Sequence, residues 1–205
     1  MSEPCPLTRI ILASASPRRL ELLRSLGLDV DVTPSGYYEP ETPQLSPAEL
    51  ATAHAREKLA AALTQIGAPA VPVVAADTVV DVDGAALNKP KDETDAVRML
   101  SALSGREHFV HTAFALALPA GETVQERSTT AVRFYRLSPD EIHDYVATGE
   151  PLDKAGAYGI QGLAAALVES IKGDFYTVMG FPLARFVRTL RRLGFTLPVP
   201  KNQRT

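Results

Sequence analysis

Apolar and polar positions along this chain switch repeatedly between a strand period and a helix period. Ile10-Ile11-Leu12 is a short apolar run, followed by Leu20, Leu22, Leu23 and Leu26 at the spacing of a buried helical stripe. Between them, Ser16 reads as an N-cap and Pro17 as the first helical residue, with Gly27 just past the helix end. Val30 to Thr33 predicts a second short strand, and Pro34 to Leu45 a loop rich in Pro, Gly and Tyr. Ser46-Pro47-Ala48-Glu49 is a capping box. It opens a helix to about Ile66, with Leu50, Ala53, Leu59 and Ala62 or Leu63 on the inner side. Val71 to Val82 is strongly β, and Asp83-Gly84 predicts a hairpin turn returning through Ala85 to Leu87. Asp92 to Leu103 predicts a helix stopped by Gly105, with Val97, Leu100 and Leu103 facing inward.

Glu107 to Leu118 and Val124 to Tyr135 read as two long antiparallel strands, and Ser138-Pro139-Asp140-Glu141 as a second capping box whose helix stops at Gly149. Glu150 to Leu163 is a glycine-bearing loop. Ala165 to Ile171 and Phe175 to Met179 predict another hairpin around Lys172-Gly173-Asp174, and Gly180-Phe181-Pro182 opens a last helix to about Leu193. This order predicts an α/β fold of the mixed α+β kind, a mixed sheet with helices packed on it, in one domain over residues 1–205. Residues 1–7 and 198–205 are expected to be loose tails.

Composition narrows the function. A chain of 205 residues buries roughly 70% of its unfolded surface, enough for a real core. The net charge of −3 argues against nucleic acid as a partner, so basic residues must act locally. One cysteine, Cys5, excludes an intramolecular disulfide and a thiolate zinc cluster. No apolar run reaches the length of a membrane span and no signal peptide is visible, so a cytoplasmic setting without membrane attachment is expected. His108 and His111 stand three apart on a strand and point to opposite faces, while His54 and His143 stand alone. Any metal is therefore a hard divalent ion held by carboxylates and substrate phosphates. Neither a P-loop nor a strand-linked Gly-x-Gly-x-x-Gly motif is present.

Three segments carry candidate chemistry. Arg18 and Arg19 sit in the first turn of a helix, where the macrodipole disfavours cations unless an anion is bound. With the Ser14 and Ser16 hydroxyls and free backbone N–H groups, they make a phosphate cradle, or else two solvated arginines on a capped helix. Asp77 lies between two apolar β stretches, where a carboxylate is poorly solvated unless it faces a cleft. It reads as a base or metal ligand, or as an Asp bonding backbone at a bend, with Thr78 beside it. Glu150 to Gly162 combines three glycines with Asp153, Lys154, Tyr158 and Gln161, a set suited to a nucleobase and its phosphates or to a structural crossover. Glu39, Lys58 and Lys89 are ordinary surface residues when taken singly.

These segments, in this order, resemble the Maf family of nucleoside triphosphate pyrophosphatases. The likeness is carried by Leu-Ala-Ser-Ala-Ser-Pro-Arg-Arg at 12–19, Ala-Ala-Asp-Thr-Val-Val at 75–80, Lys89-Pro90 and Leu-Ser-Gly-Arg-Glu-His at 103–108. It continues through residues 150–162 and Gly-Asp-Phe…Gly-Phe-Pro-Leu at 173–183. The resemblance implies an elongated mixed sheet flanked by helices, with two lobes around a cleft as in inosine triphosphate pyrophosphatases. It also implies hydrolysis between the α and β phosphates, to a nucleoside monophosphate and pyrophosphate, with Mg²⁺ or Mn²⁺ as cofactor and a role in cleaning the nucleotide pool. Asp77 matches the family's proton acceptor, and Ser14, Ser16, Arg19, Glu39, Lys58 and Lys89 match its phosphate and metal positions, Glu39 and Asp77 being the metal carboxylates. Arg18, Thr78 and Gln161 match the type acting on dTTP and UTP, modified pyrimidine nucleotides included; the 7-methyl-GTP type carries Trp in place of Arg18. Asn88 departs from the family, many members having an acidic residue there. The resemblance leaves open a homodimer, a nucleotide-binding regulator of septum formation that needs no catalysis, and a 7-methyl-GTP or purine-type pyrophosphatase.

Overall fold

The computed structural model describes residues 5–40, 42 and 44–198. Its strands are β1 (Cys5–Pro6), β2 (Arg9–Leu12), β3 (Asp29–Val32), β4 (Val73–Val82), β5 (Ala85–Leu87), β6 (Glu107–Ala117), β7 (Thr123–Phe134), β8 (Val168–Lys172) and β9 (Phe195–Thr196). The helices are α1 (Pro17–Ser25), α2 (Pro47–Ile66), α3 (Glu93–Leu103), α4 (Pro139–Ala147), α5 (Phe175–Met179) and α6 (Leu183–Arg192). The main sheet runs β3-β2-β4-β6-β7-β8, with β5 folded back on the end of β4. β2 is parallel to both β3 and β4, and every later pairing in that sheet is antiparallel.

Period-2 alternation assigns the strand side chains to two cores. Val74, Ala76 and Val80 of β4, with Val110, Phe114 and Leu116 of β6, face a large core that also takes residues of α1, α3, α4 and α6. Phe114 meets Phe186 edge to face at 5.4 Å there. Val73, Ala75, Val79, Ala113, Ala115 and Ala117 face α2 instead. Alanines on the sheet and Ala51, Ala55 and Ala62 on the helix let α2 lie close against it. Both capping boxes form: Ser46 and Ser138 accept from the backbone N–H of Glu49 and Glu141, whose side chains reach back.

Two expectations are corrected. The loose N-terminal tail does not extend over residues 5–7, because Cys5–Pro6 pairs in parallel with Phe195–Thr196 and Leu7 is buried. Residues 1–4 and 199–205 of the expected tails lie outside the described residues. Phe175–Met179 is a helix, not the second strand of a hairpin. Asp174 Oδ2 accepts from the backbone N–H and the hydroxyl of Thr177 at 2.8 and 2.7 Å, and Gly180 closes the turn at φ 110°. The N-cap overrides the β preference of Tyr, Thr and Val. The preceding strand begins only at Val168, since 162–167 are taken up by a 3₁₀ turn, and it pairs with β7.

Candidate active site

A gap in strand pairing makes the cleft. The last β2 partner on β4 is Val74 and the first β5 partner is Val80, so the β4 edge between them carries neither strand. Asp77 and Thr78 lie at this opening. As neighbours in a strand they point to opposite faces, Asp77 towards α2 and Thr78 towards the larger core. Around the opening lies a cavity of about 580 Å³, lined by Ser14, Ser16, Arg18, Arg19, Glu39, Lys58, Asp77, Thr78, Lys89 and Gln161 together. Every position singled out in the sequence therefore meets in one cleft.

On the α2 side, Asp77 is 7% exposed and its Oδ1 accepts from Lys58 Nζ at 2.5 Å. Lys58 Nζ also lies 2.6 Å from Glu39 Oε1. Burial pushes the Glu39 carboxyl up, but the Lys58 ammonium more than reverses this and leaves it below the usual range. Asp77 uses only Oδ1 in its hydrogen bonds among the described residues. Because both carboxylates reach one ammonium, their oxygens lie no farther apart than two hydrogen bonds end to end. That donor pair suits a hard divalent cation completed by phosphate oxygens. Among the described residues no cluster of three or more His, Cys, Asp or Glu ligands occurs.

On the opposite face, the partly buried Arg19 guanidinium is held at three points. Nε donates to Gly180 O at 2.9 Å, Nη1 to Ser14 Oγ at 3.2 Å and Nη2 to Thr78 Oγ1 at 3.2 Å. A guanidinium has five N–H donors, so two remain for an anion. Burial lowers its pKa, with Asp77 acting the other way. Ser16 caps α1 loosely, accepting from Arg19 N at 3.5 Å, which leaves its hydroxyl available to the cleft. Thr112 donates to the Thr177 carbonyl at 2.7 Å and lies 2.9 Å from Thr78 Oγ1. Since the single Thr112 proton is taken, Thr78 donates to Thr112 and offers Arg19 only its oxygen. Thr78 thus fixes the guanidinium, and its own proton is committed away from the cleft.

The segment 150–163 folds as short 3₁₀ turns that wall the cleft. Gly156 N donates to Asn88 O at 3.0 Å, and the Tyr158 hydroxyl lies 2.7 Å from Nε2 of the buried His108. Glu150 accepts from the Tyr145 hydroxyl and from Leu163 N, both at 3.1 Å. These ties hold both ends of the stretch that presents Gln161. Arg18 leans towards the same segment, its Nη1 3.9 Å from Asp153 Oδ2. Lys89 is exposed at the cleft wall. Three participants carry no role in the sequence reading. His54 lines the cleft and bonds the Tyr37 hydroxyl at 3.3 Å; its place four residues before Lys58, on one helix face, was a readable signal. Thr112 acts through Thr78 and Thr177, which no local pattern reveals, whereas Glu150 ties Leu163 N back to the nearby Tyr145 hydroxyl.

Residues 9–193 match the family described as Maf-like protein. A dTTP/UTP pyrophosphatase of Methylobacillus flagellatus is 47% identical over 196 residues, covering 94% of this chain and 96% of that protein. A dTTP/UTP pyrophosphatase of Thermus thermophilus is 50% identical over 186 residues, covering 91% and 95%. Among solved structures, a HAM1 protein from Coxiella burnetii aligns over 91% of this chain and 100% of its own, at a TM-score of 0.52 and 17% identity. That likeness shows the fold. No helix among the described residues is long and apolar enough to cross a membrane.

Proposed function

The chain belongs to the Maf-like family, and on that premise we propose that it hydrolyses dTTP and UTP between the α and β phosphates. The products are the nucleoside monophosphate and pyrophosphate, and the role is removal of unwanted nucleotides from the pool. The observation that carries this reading is the buried Asp77 carboxylate, paired with Lys58 and facing the same cleft as Arg19.

Hydrolysis needs a water oriented and deprotonated while the charge of a polyphosphate is neutralised. The water oxygen bonds to phosphorus, the bridging P–O bond breaks, and pyrophosphate leaves with the bond's electron pair. Asp77 accepts the water's proton on Oδ2, the oxygen not used by Lys58. Arg19, Lys58 and Lys89 bind the phosphates, helped by the Ser14 and Ser16 hydroxyls and the α1 N-terminus. Glu39 and Asp77 would hold the Mg²⁺ or Mn²⁺, which when bound polarises the phosphate oxygens. Arg18 and Gln161 face the base: a planar amide offers one acceptor and two donors, a pattern that fits the O4 and N3–H edge of uracil or thymine. Thr78 serves specificity only through the placement of Arg19.

Pyrophosphate release across a panel of nucleoside triphosphates with Mg²⁺ or Mn²⁺ tests the proposal. UTP and dTTP are expected to lead clearly. A kcat/KM for ATP or GTP equal to theirs overturns the base assignment, and no release from any triphosphate overturns the reaction.

A further inference from the structure

We propose that Lys58 is a built-in stand-in for the divalent cation, closing the metal position until a metal-bearing triphosphate arrives. The inference rests on the reading of the cleft as a triphosphate site. Its observation is the place of one ammonium: Nζ lies 2.5 Å from Asp77 and 2.6 Å from Glu39, on a side chain 13% exposed. The other cations of the cleft do not make this contact. Arg19 is committed to Ser14, Thr78 and Gly180, and Lys89 stands exposed at the wall.

A cation bonded to Asp77 Oδ1 and Glu39 Oε1, the two oxygens that Lys58 holds, would compete for the place of Nζ. The two cannot share the gap, for want of space and because like charges at that distance repel. Lys58 must therefore leave before these two oxygens can take metal. Its backbone cannot carry it away, since Ala55, Leu59 and Ala62 pack α2 against the sheet. The flexible four-carbon stem can. A free metal ion offers the ammonium no new partner, whereas a polyphosphate offers several charged oxygens. Lys58 then exchanges carboxylate oxygens for phosphate oxygens, and metal and nucleotide enter together. The free protein keeps two acidic side chains bridged by one ammonium, which offsets part of their charge, and its carboxylates are uncovered only when substrate is present.

Mn²⁺ binding to the full chain without nucleotide, read as loss of the free-ion electron paramagnetic resonance signal, tests this directly. Wild-type protein is expected to bind weakly. Lys58→Met and Lys58→Gln, each checked as folded by circular dichroism, are expected to bind Mn²⁺ at least about tenfold more tightly, because a unit positive charge has been removed from the metal position. Glu39→Gln added to Lys58→Met should abolish the gain. Both single variants binding no better than wild type, or a gain that survives removal of Glu39, overturns the proposal. Release of pyrophosphate by wild type across the same triphosphate panel is measured alongside. Activity without a gain in the variants removes the Lys58 role alone, while a gain in the variants of an inactive wild type supports that role and removes the triphosphate reading.

Discussion

At the residue scale, the site depends on what each side chain has left over after its structural bonds are made. Asp77 spends one oxygen on Lys58. Asp77→Asn keeps the size and removes the base, so kcat should fall by about 10²-fold or more while the Kd of a non-hydrolysable analogue, titrated without divalent metal, changes little. Unchanged kcat would exclude Asp77 as the proton acceptor. Arg19 spends three donors on protein groups. Arg19→Ala should weaken triphosphate binding by about 1.5–3 kcal/mol, the range of a charge-assisted hydrogen bond, as titration of the same analogue would show. Lysine at this position should not rescue it, since a point charge cannot reach Gly180, Ser14, Thr78 and a phosphate at once. That Arg19 and Asp77 mattered was legible, one from a cation at a helix N-terminus and the other from a carboxylate in an apolar run. That Thr78 holds Arg19 was not, because the bond spans 59 residues of sequence.

At the scale of elements, local rules decide most of what forms. Ser138 caps α4 and is answered by Glu141, a reciprocal arrangement complete within four residues. Ser138→Ala should lower stability by about 1 kcal/mol, seen as a fall of about 2–4 °C in Tm with catalysis unchanged. The turns that present Gln161 obey a different constraint. Gly156 has φ +67°, and a Cβ there would lie 2.9 Å from both Val80 methyl groups. Gly156→Ala should cost about 1–2 kcal/mol for the backbone alone and should raise KM by displacing the segment from Asn88. Trimming Val80 to Ala in the same chain should recover part of the KM, whereas no recovery would place the defect in the backbone. The glycines were visible in the sequence, but the strand they press against was not.

At the scale of the whole molecule, one buried histidine links the central sheet to the cleft wall. His108 on β6 meets the Tyr158 hydroxyl, and burial lowers its pKa from 6.5 to about 4. The folded state thus holds it neutral over a range in which the unfolded chain binds a proton. Its contribution is complete above pH 6.5 and is lost as pH falls towards about 4, a change of about 3 kcal/mol over that window. Urea unfolding of His108→Phe across this range should show a flatter acid limb than wild type by about that amount. Parallel curves would mean that another group governs the limb.

Wherever a decision is made within one or two turns, the sequence alone determined it: both capping boxes, the Asp83-Gly84 hairpin, the long β6–β7 pair and the motif string of a Maf-like chain. Caps, turns and alternation are short-range interactions, so their residues lie together in the chain. Tertiary structure decided what needs distant segments to meet. The end of β2 and the start of β5 leave β4 open at Asp77, and α2 brings Lys58 to it from 19 residues away. Phe175–Met179 became helical with its cap Asp174 held by Thr130 of β7, whose hydroxyl accepts from Asp174 N at 2.9 Å and donates to Asp174 O at 3.0 Å. Cys5–Pro6 became a strand because the chain end after α6 lies alongside. In each case the partners lie far apart in the chain, and no local pattern encodes which distant segments meet.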